Sequence, residues 1–285
     1  MIAVTGATGQ LGRLVINALL KKVPANEIIA AVRSPEKASD LAALGIQVRK
    51  ADYSQPTTLD NAFQGVDKLL LISSSEVGQR VAQHTAVIEA AKRARVKLLA
   101  YTSLLHADKS LLELGEEHRA TEALLRESGL PVVLLRNGWY TENYTASIAP
   151  ALAHGAFIGS VGEGRIASAA RQDYAEAAAV ALTQENQAGK VYELAGDDSY
   201  TLTEFSAEIA RQSGKPVVYQ DLSEADFRQA LIGAGLPEGF ATLLADSDAG
   251  AAKGGLFDDS HTLSKLIGRP TTPYAKVIAA TLAAL

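Results

Sequence analysis

Over residues 1–140, short apolar runs alternate with longer stretches in which apolar side chains return every third or fourth position. Ile2-Ala3-Val4 is the first run. Leu11, Leu14, Val15, Ala18 and Leu19 then follow at helical spacing, so the chain opens as strand, tight turn, helix. Ile28-Ile29-Ala30-Ala31-Val32 has no polar interruption, as expected of a strand covered on both faces of a parallel sheet. Further strands are predicted at 46–51, 68–73, 98–102 and 132–135, with helices at 57–63, 79–95 and 116–128 between them. Another helix is expected to start after the second strand, with Ser34 as its cap and Pro35 in its first turn. Parallel strands joined this way need crossovers, and the right-handedness of those crossovers gives an α/β fold, a doubly wound parallel sheet with helices on both faces.

Beyond residue 140 the rhythm loosens. Phe157-Ile158 and the run from Val191 to Leu194 are short apolar pieces, helices are predicted at 171–183 and 203–213, and Gly, Asp and Ser gather at 247–259 as in loops or a mobile segment. The expected division is a nucleotide-binding domain over 1–140 and a smaller α/β lobe over 141–285. That lobe would cover the substrate, with some of its segments returning to the sheet.

The turn after the first strand carries Gly6, Gly9 and Gly12, followed directly by an amphipathic helix. Glycine there permits a positive φ, lets backbone N–H groups approach a phosphate at the positive end of a helix, and allows close helix–strand packing. The motif reads as a dinucleotide-binding turn of a Rossmann sheet. In such sheets ligands lie beyond the carboxyl ends of the strands, so residues 6–12, Arg33, Asp52, 73–75, 102–103 and 137–142 are expected to converge on one crevice. Arg33 stands at the tip of the second strand, where an acidic residue would bind a ribose 2′-hydroxyl, and no Asp or Glu occurs before Glu36. A forked guanidinium suits a 2′-phosphate, so a phosphorylated cofactor is expected, the alternative being a solvated strand-end arginine. Ser73, Ser74 and Ser75 read as a wall for the ribose and nicotinamide half, or as an ordinary turn. Asp52 and Tyr53 would flank the adenine, unless Asp52 caps the next helix. Trp139 and Tyr140 offer aromatic faces to a flat acceptor, or pack as a hinge.

Composition narrows the chemistry. The chain of 285 residues is 47% hydrophobic and 21% charged, which excludes disorder, and it has no cysteine, which excludes disulfides and thiolate chemistry. A net charge of −5 without a basic block argues against nucleic acid or a membrane surface as a partner. No apolar run reaches membrane-spanning length and the start leaves no room for a signal peptide, so a cytoplasmic protein is expected. The five histidines show no metal-binding spacing. None of the nine tyrosines is followed four residues later by lysine, the pair that protonates alkoxides in typical short-chain dehydrogenases. Its absence selects for electron-poor acceptors such as quinones, whose reduced anion water can protonate. His118 falls near where that lysine would stand and is the candidate proton donor, against the alternative of a surface histidine on an amphipathic helix.

Val-Thr-Gly-Ala-Thr-Gly-Gln-Leu-Gly at 4–12, Leu-Leu-Leu-Ile-Ser-Ser-Ser-Glu-Val-Gly-Gln-Arg at 69–80, Ala-Tyr-Thr-Ser-Leu-Leu-His-Ala-Asp at 100–108, Leu-Arg-Asn-Gly-Trp-Tyr at 135–140 and Gly-Gly-Leu-Phe-Asp-Asp-Ser at 254–260 carry a resemblance over nearly the whole chain. The sequence resembles the NmrA-like branch of the atypical short-chain dehydrogenase/reductase family, near its quinone and triphenylmethane dye reductases. The resemblance implies that Gly6, Ala7, Thr8, Gly9, Gln10 and Leu11 hold the pyrophosphate and Arg33 the 2′-phosphate. It places Ser73, Ser74 and Ser75 on the ribose side, and Asn137, Gly138, Trp139, Tyr140, Thr141 and Glu142 at the nicotinamide, with Arg171 also reaching the cofactor. It further implies NADPH (NADP) as cofactor and a quinone as small-molecule substrate, reduced in one two-electron step. The oligomeric state stays open. Within the branch the alternatives are a reductase of dyes or enones, and a regulator that senses NADP without turnover.

Overall fold

The computed structural model describes residues 1–76 and 78–285; Val77, inside the resembling stretch 69–80, lies outside the described residues. The strands are β1 (Ile2–Thr5), β2 (Ile28–Val32), β3 (Gln47–Lys50), β4 (Lys68–Leu71), β5 (Leu98–Leu104), β6 (Val132–Asn137), β7 (Ala156–Gly159), β8 (Val191–Leu194) and β9 (Val218–Asp221). Among the described residues they form a seven-stranded sheet in the order β3-β2-β1-β4-β5-β6-β8 and a two-stranded sheet of β7 and β9. β1 pairs in parallel with β2 and with β4, β2 with β3, and β4 with β5. The strand order reverses between β1 and β4, which is where a doubly wound sheet opens a crevice.

Two compact units divide the chain. The first comprises residues 1–103, 117–137 and 171–192, the second 104–116, 138–170 and 193–285. The 140/141 division read from the rhythm of the chain therefore falls inside the second unit, and residues 171–192 return to the first. The helix Arg171–Thr183 packs there on the helix Gln10–Leu20.

In the first unit the apolar runs are buried on both faces. Ala3, Ile29, Ala31, Leu69, Leu71, Leu99 and Tyr101 face a cluster with Leu59, Phe63, Val87 and Ala91, while the intervening Val4, Ala30, Leu70 and Ala100 are buried as well. Two elements differ from expectation. The segment after β2 is a 3₁₀ turn (Pro35–Ala38) leading into a five-residue helix (Ser39–Ala43), and the Ser34 side chain makes no capping bond. β6 runs on to Asn137, so Arg136 is a strand residue rather than the start of a loop. Arg136 is buried and grips the buried Glu122 carboxylate with two bonds of 2.9 and 2.8 Å, which is how a charged pair is accommodated in the interior.

The second unit is built on an aromatic core. Tyr144, Phe157, Tyr200 and Phe205 lie within one cluster that also takes in Trp139, Leu112 and Ile278. Its helix Leu202–Ser213 is fixed by a reciprocal capping box between Thr201 and Glu204 and ends at Gly214 with φ of 69°. The stretch 247–259, expected as loop, is helical as far as Ala252, the end of the helix Glu238–Ala252. Its small and polar residues serve packing: Ser247 bonds back to the Leu243 carbonyl, and a Cβ on Gly250 would meet Leu112 Cδ1 at 2.7 Å.

Asp248 on this helix is buried and accepts from the Ser160 N–H at 3.0 Å and the Tyr144 hydroxyl at 3.3 Å. Burial, reinforced by the charge of Asp221, raises its carboxyl from 3.8 to about 6. The folded state then binds the proton more tightly than the unfolded chain. The cost of the buried carboxylate is fully present above pH 6 and is relieved as pH falls toward 4. Asp248→Asn should therefore stabilise the protein by about 2–3 kcal/mol at pH 7.5 and by almost nothing at pH 4, measured as the difference between the two urea denaturation curves. The difference removes the opposing contributions of other groups common to both proteins.

Among the described residues no helix is long and apolar enough to cross a membrane.

Candidate functional site

At the end of β1 the chain reverses through Gly6, whose φ of 59° lies in the left-handed region. The Gly9 N–H donates to the Gly6 carbonyl at 2.9 Å and closes the turn. Gly9 then caps the helix Gln10–Leu20 without a side chain, and the first helical turn holds no acidic residue. The positive helix end and its first amides consequently meet no protein anion from that turn. Gly12 is required for a different reason: a Cβ there would lie 2.3 Å from the Gly6 oxygen and 2.7 Å from the Ala7 Cα. Backbone rests on backbone at this point.

This turn borders a cleft of about 630 Å³ in the first unit. Gly6, Thr8, Gly9, Gln10 and Leu11 line it together with Arg33, Ser73, Ser74 and Ser75, and so do Asp52 and Tyr53. Of the turn residues, Ala7 is fully buried and does not line it. Asp52 does not cap the next helix. Its carboxylate accepts from the Ser54 N–H at 3.0 Å and from Gln55 Nε2 at 3.0 Å, and the helix begins at Pro56. The Tyr53 phenol is pushed up to about 12 by burial and stays neutral.

The wall contributed by residues 72–75 owes its shape to buried side chains. The Ile72 N–H donates to Thr5 Oγ1 at 3.1 Å, the Ser73 N–H to Thr102 Oγ1 at 2.8 Å, and the Ser74 N–H to His84 Nε2 at 2.9 Å. The Ser74 carbonyl accepts from Arg80 Nε at 2.7 Å, and Arg80 is itself held by Glu117 at 3.1 Å. Three successive amides are thus fixed, each by a different element, which makes the wall a preorganised surface. His84 is fully buried, and burial together with Arg80 pushes its pKa down to about 3. A neutral ring that accepts at Nε2 must carry its proton on Nδ1, where it donates to Thr121 Oγ1 at 3.0 Å. His84→Leu strands the Ser74 amide, and a loss of about 2 kcal/mol is expected by urea denaturation, most of it recovered in His84→Gln, whose amide oxygen can accept the same bond.

The sequence reading missed Glu76 and Gln83, which also line the cleft. Arg33 donates to Glu76 Oε1 at 2.9 Å, and Gln83 Nε2 donates to Glu76 Oε2 at 2.7 Å. Nothing in a serine-rich turn signals that the next carboxylate folds back over a strand-end arginine 43 positions earlier.

The other predicted residues are not among those lining this cleft. His118 is buried, not on a surface, and its Nδ1 is 2.7 Å from the Tyr101 hydroxyl. Burial, with Arg80 and His84 adding, holds its pKa well below the usual value, so the ring is neutral and is not an imidazolium acid. Asn137 is buried at the end of β6, and its Oδ1 has no hydrogen-bond partner. Arg171 opens its helix in the first unit. Gly138, Trp139, Tyr140, Thr141 and Glu142 belong to the second unit. There Gly138 donates to the Leu194 carbonyl, Tyr140 bridges to Ala169, and Thr141 bonds Ser168 at 2.8 Å. The Trp139 ring packs into that unit's core, so it is a packing residue and not an open stacking face. Among the described residues no group of three or more acidic or histidine side chains could hold a metal.

A positive helix end, an arginine at the β2 tip and a fixed polar wall at the β1–β4 switch point make a receptor for an elongated polyanion with an adenosine-sized body. The family described as NAD(P)H-binding matches residues 6–185. The chain is 63% identical to quinone oxidoreductase 2 of Escherichia coli (strain K12), over 98% of this chain and 97% of that protein. Its structure matches that of the E. coli NADPH-dependent quinone oxidoreductase QOR2 complexed with NADPH with a TM-score of 0.97 at 62% identity, covering 99% of this chain and 100% of the other. It matches Citrobacter sp. triphenylmethane reductase complexed with NADP(H) with a TM-score of 0.94 at 41% identity, again over 99% and 100%. On its glycine turn, its sheet order and these matches, the chain belongs to the NAD(P)H-binding family.

Proposed function

We propose that this chain is an NADPH-dependent quinone oxidoreductase. The observation that carries the reading is the cleft in which a side-chain-free helix end and Arg33 face the same space, in a chain so close to a quinone oxidoreductase. The residues fit the cofactor. The turn at Gly6 and Gly9 offers a helix end without a capping side chain to a pyrophosphate, Arg33 matches a 2′-phosphate, and Asp52 and Tyr53 border the adenine side. The wall at Ser73, Ser74 and Ser75 offers polar groups to the ribose side.

NADPH supplies a hydride to the quinone, and with one proton the products are NADP⁺ and the hydroquinone. The protein's part is to bind, orient and exclude water along the preorganised wall. No proton donor of the Tyr-x-x-x-Lys kind exists, and His118 is neutral, buried and bonded to Tyr101, so the proton on the reduced oxygen comes from solvent. That restricts acceptors to those whose reduced anion is weakly basic. Cytoplasmic placement goes with this reading, since the reductant is an intracellular metabolite. The test is to mix the protein with NADPH and a simple benzoquinone and follow absorbance near 340 nm beside hydroquinone formation. Equal amounts of NADPH consumed and hydroquinone formed are expected; tight NADP binding without turnover on any quinone would make the protein a sensor instead.

A further inference from the structure

We infer that Glu76 stands in for the cofactor's 2′-phosphate on Arg33 and thereby sets how strongly the protein discriminates NADPH from NADH. The inference rests on the cofactor reading above and goes beyond it, because it assigns a role to a residue that opposes binding. Glu76 places one carboxylate oxygen 2.9 Å from Arg33 Nη1, the geometry a phosphate oxygen would adopt on the same guanidinium. Its other oxygen takes the Gln83 amide at 2.7 Å, and its own N–H donates to Ser74 Oγ at 3.2 Å. All four side chains line the one cleft, so the carboxylate lies within the space that the phosphate would need.

Two consequences follow from charge. A phosphate arriving at Arg33 must first break the ion pair, and afterwards it remains beside a displaced carboxylate of the same sign. The Arg33 and Glu76 side chains are 71% and 48% exposed, so the pair is solvent-screened and its exchange for a doubly charged phosphate is easy. Glu76 thus keeps Arg33 engaged in the free protein and lowers the affinity for 2′-phosphorylated ligands, leaving ligands without that group almost untouched. Gln83 holds the carboxylate in place and gives it a resting position.

Isothermal titration of the full-length wild type and Glu76→Gln with 2′,5′-ADP and with 5′-AMP tests this. The glutamine keeps an acceptor for Arg33 but removes the charge. Expected is a three- to tenfold tighter Kd for 2′,5′-ADP in Glu76→Gln, with 5′-AMP changed by less than about twofold. Glu76→Ala should move both ligands in the same directions, which separates lost charge from a misplaced amide. An unchanged or weaker Kd for 2′,5′-ADP in both variants would overturn the inference and make Glu76 a strap that orders the wall. Failure of the wild type itself to bind 2′,5′-ADP would overturn the cofactor reading and this inference together.

Discussion

Replacing Gly12 by alanine is expected to weaken NADPH binding by about 100-fold and to destabilise the fold by about 3 kcal/mol. The added methyl would sit 2.3 Å from the Gly6 oxygen and 2.7 Å from the Ala7 Cα. Both are backbone atoms, so no side chain can swing aside, and the helix Gln10–Leu20 must lift away from the turn. Lifting it removes the first helical amides from the phosphate. Losing two hydrogen bonds to a charged group, at about 1.5 kcal/mol each, accounts for the binding loss. Gly9→Ala is the control: its Cβ would stand 3.2 Å from the Gly6 oxygen, tight but within reach of a small shift, so a much milder effect is expected. Binding by calorimetry and stability by urea denaturation, on the same preparations, separate the two losses.

The second large effect belongs to Arg33. Arg33→Glu replaces a charge-assisted donor by a repelling carboxylate next to Glu76, and NADPH affinity should fall about 100-fold while NADH changes by less than about threefold. Because Arg33 is exposed and pairs only on the surface with Glu76, the variant should fold with nearly wild-type stability. The ratio of the NADPH and NADH KM values in quinone reduction reports the switch. Equal weakening of both cofactors would mean that Arg33 does not meet the 2′-phosphate.

The sheet and the glycine turn at its first strand could be read from the sequence because both depend on local signals. Ile28-Ile29-Ala30-Ala31-Val32 announces a strand covered on two faces, and β2 has those limits. Gly6, Gly9 and Gly12 announce the turn because each answers a constraint set within a few residues of itself. Features that depend on distant partners were not readable. His84 looks like any residue of an amphipathic helix; that its ring meets the Ser74 amide follows only from how the helix Arg80–Arg93 is docked. Trp139 was open to two readings since the core cluster it joins includes residues that come much later in the chain, Phe205 and Ile278 among them. Ser247 and Asp248 resembled loop residues by composition, yet one bonds back within its helix and the other caps a buried amide at Ser160. Arg136 looked like a strand end until Glu122 supplied a buried partner.

Calorimetric titration of the wild-type protein with NADPH and, separately, NADH asks directly whether a phosphorylated nicotinamide dinucleotide is what the β1–β4 cleft binds. One equivalent of NADPH should bind at least about tenfold more tightly than NADH, with the advantage shrinking as salt is raised. Equal affinities for the two, insensitive to salt, would contradict it.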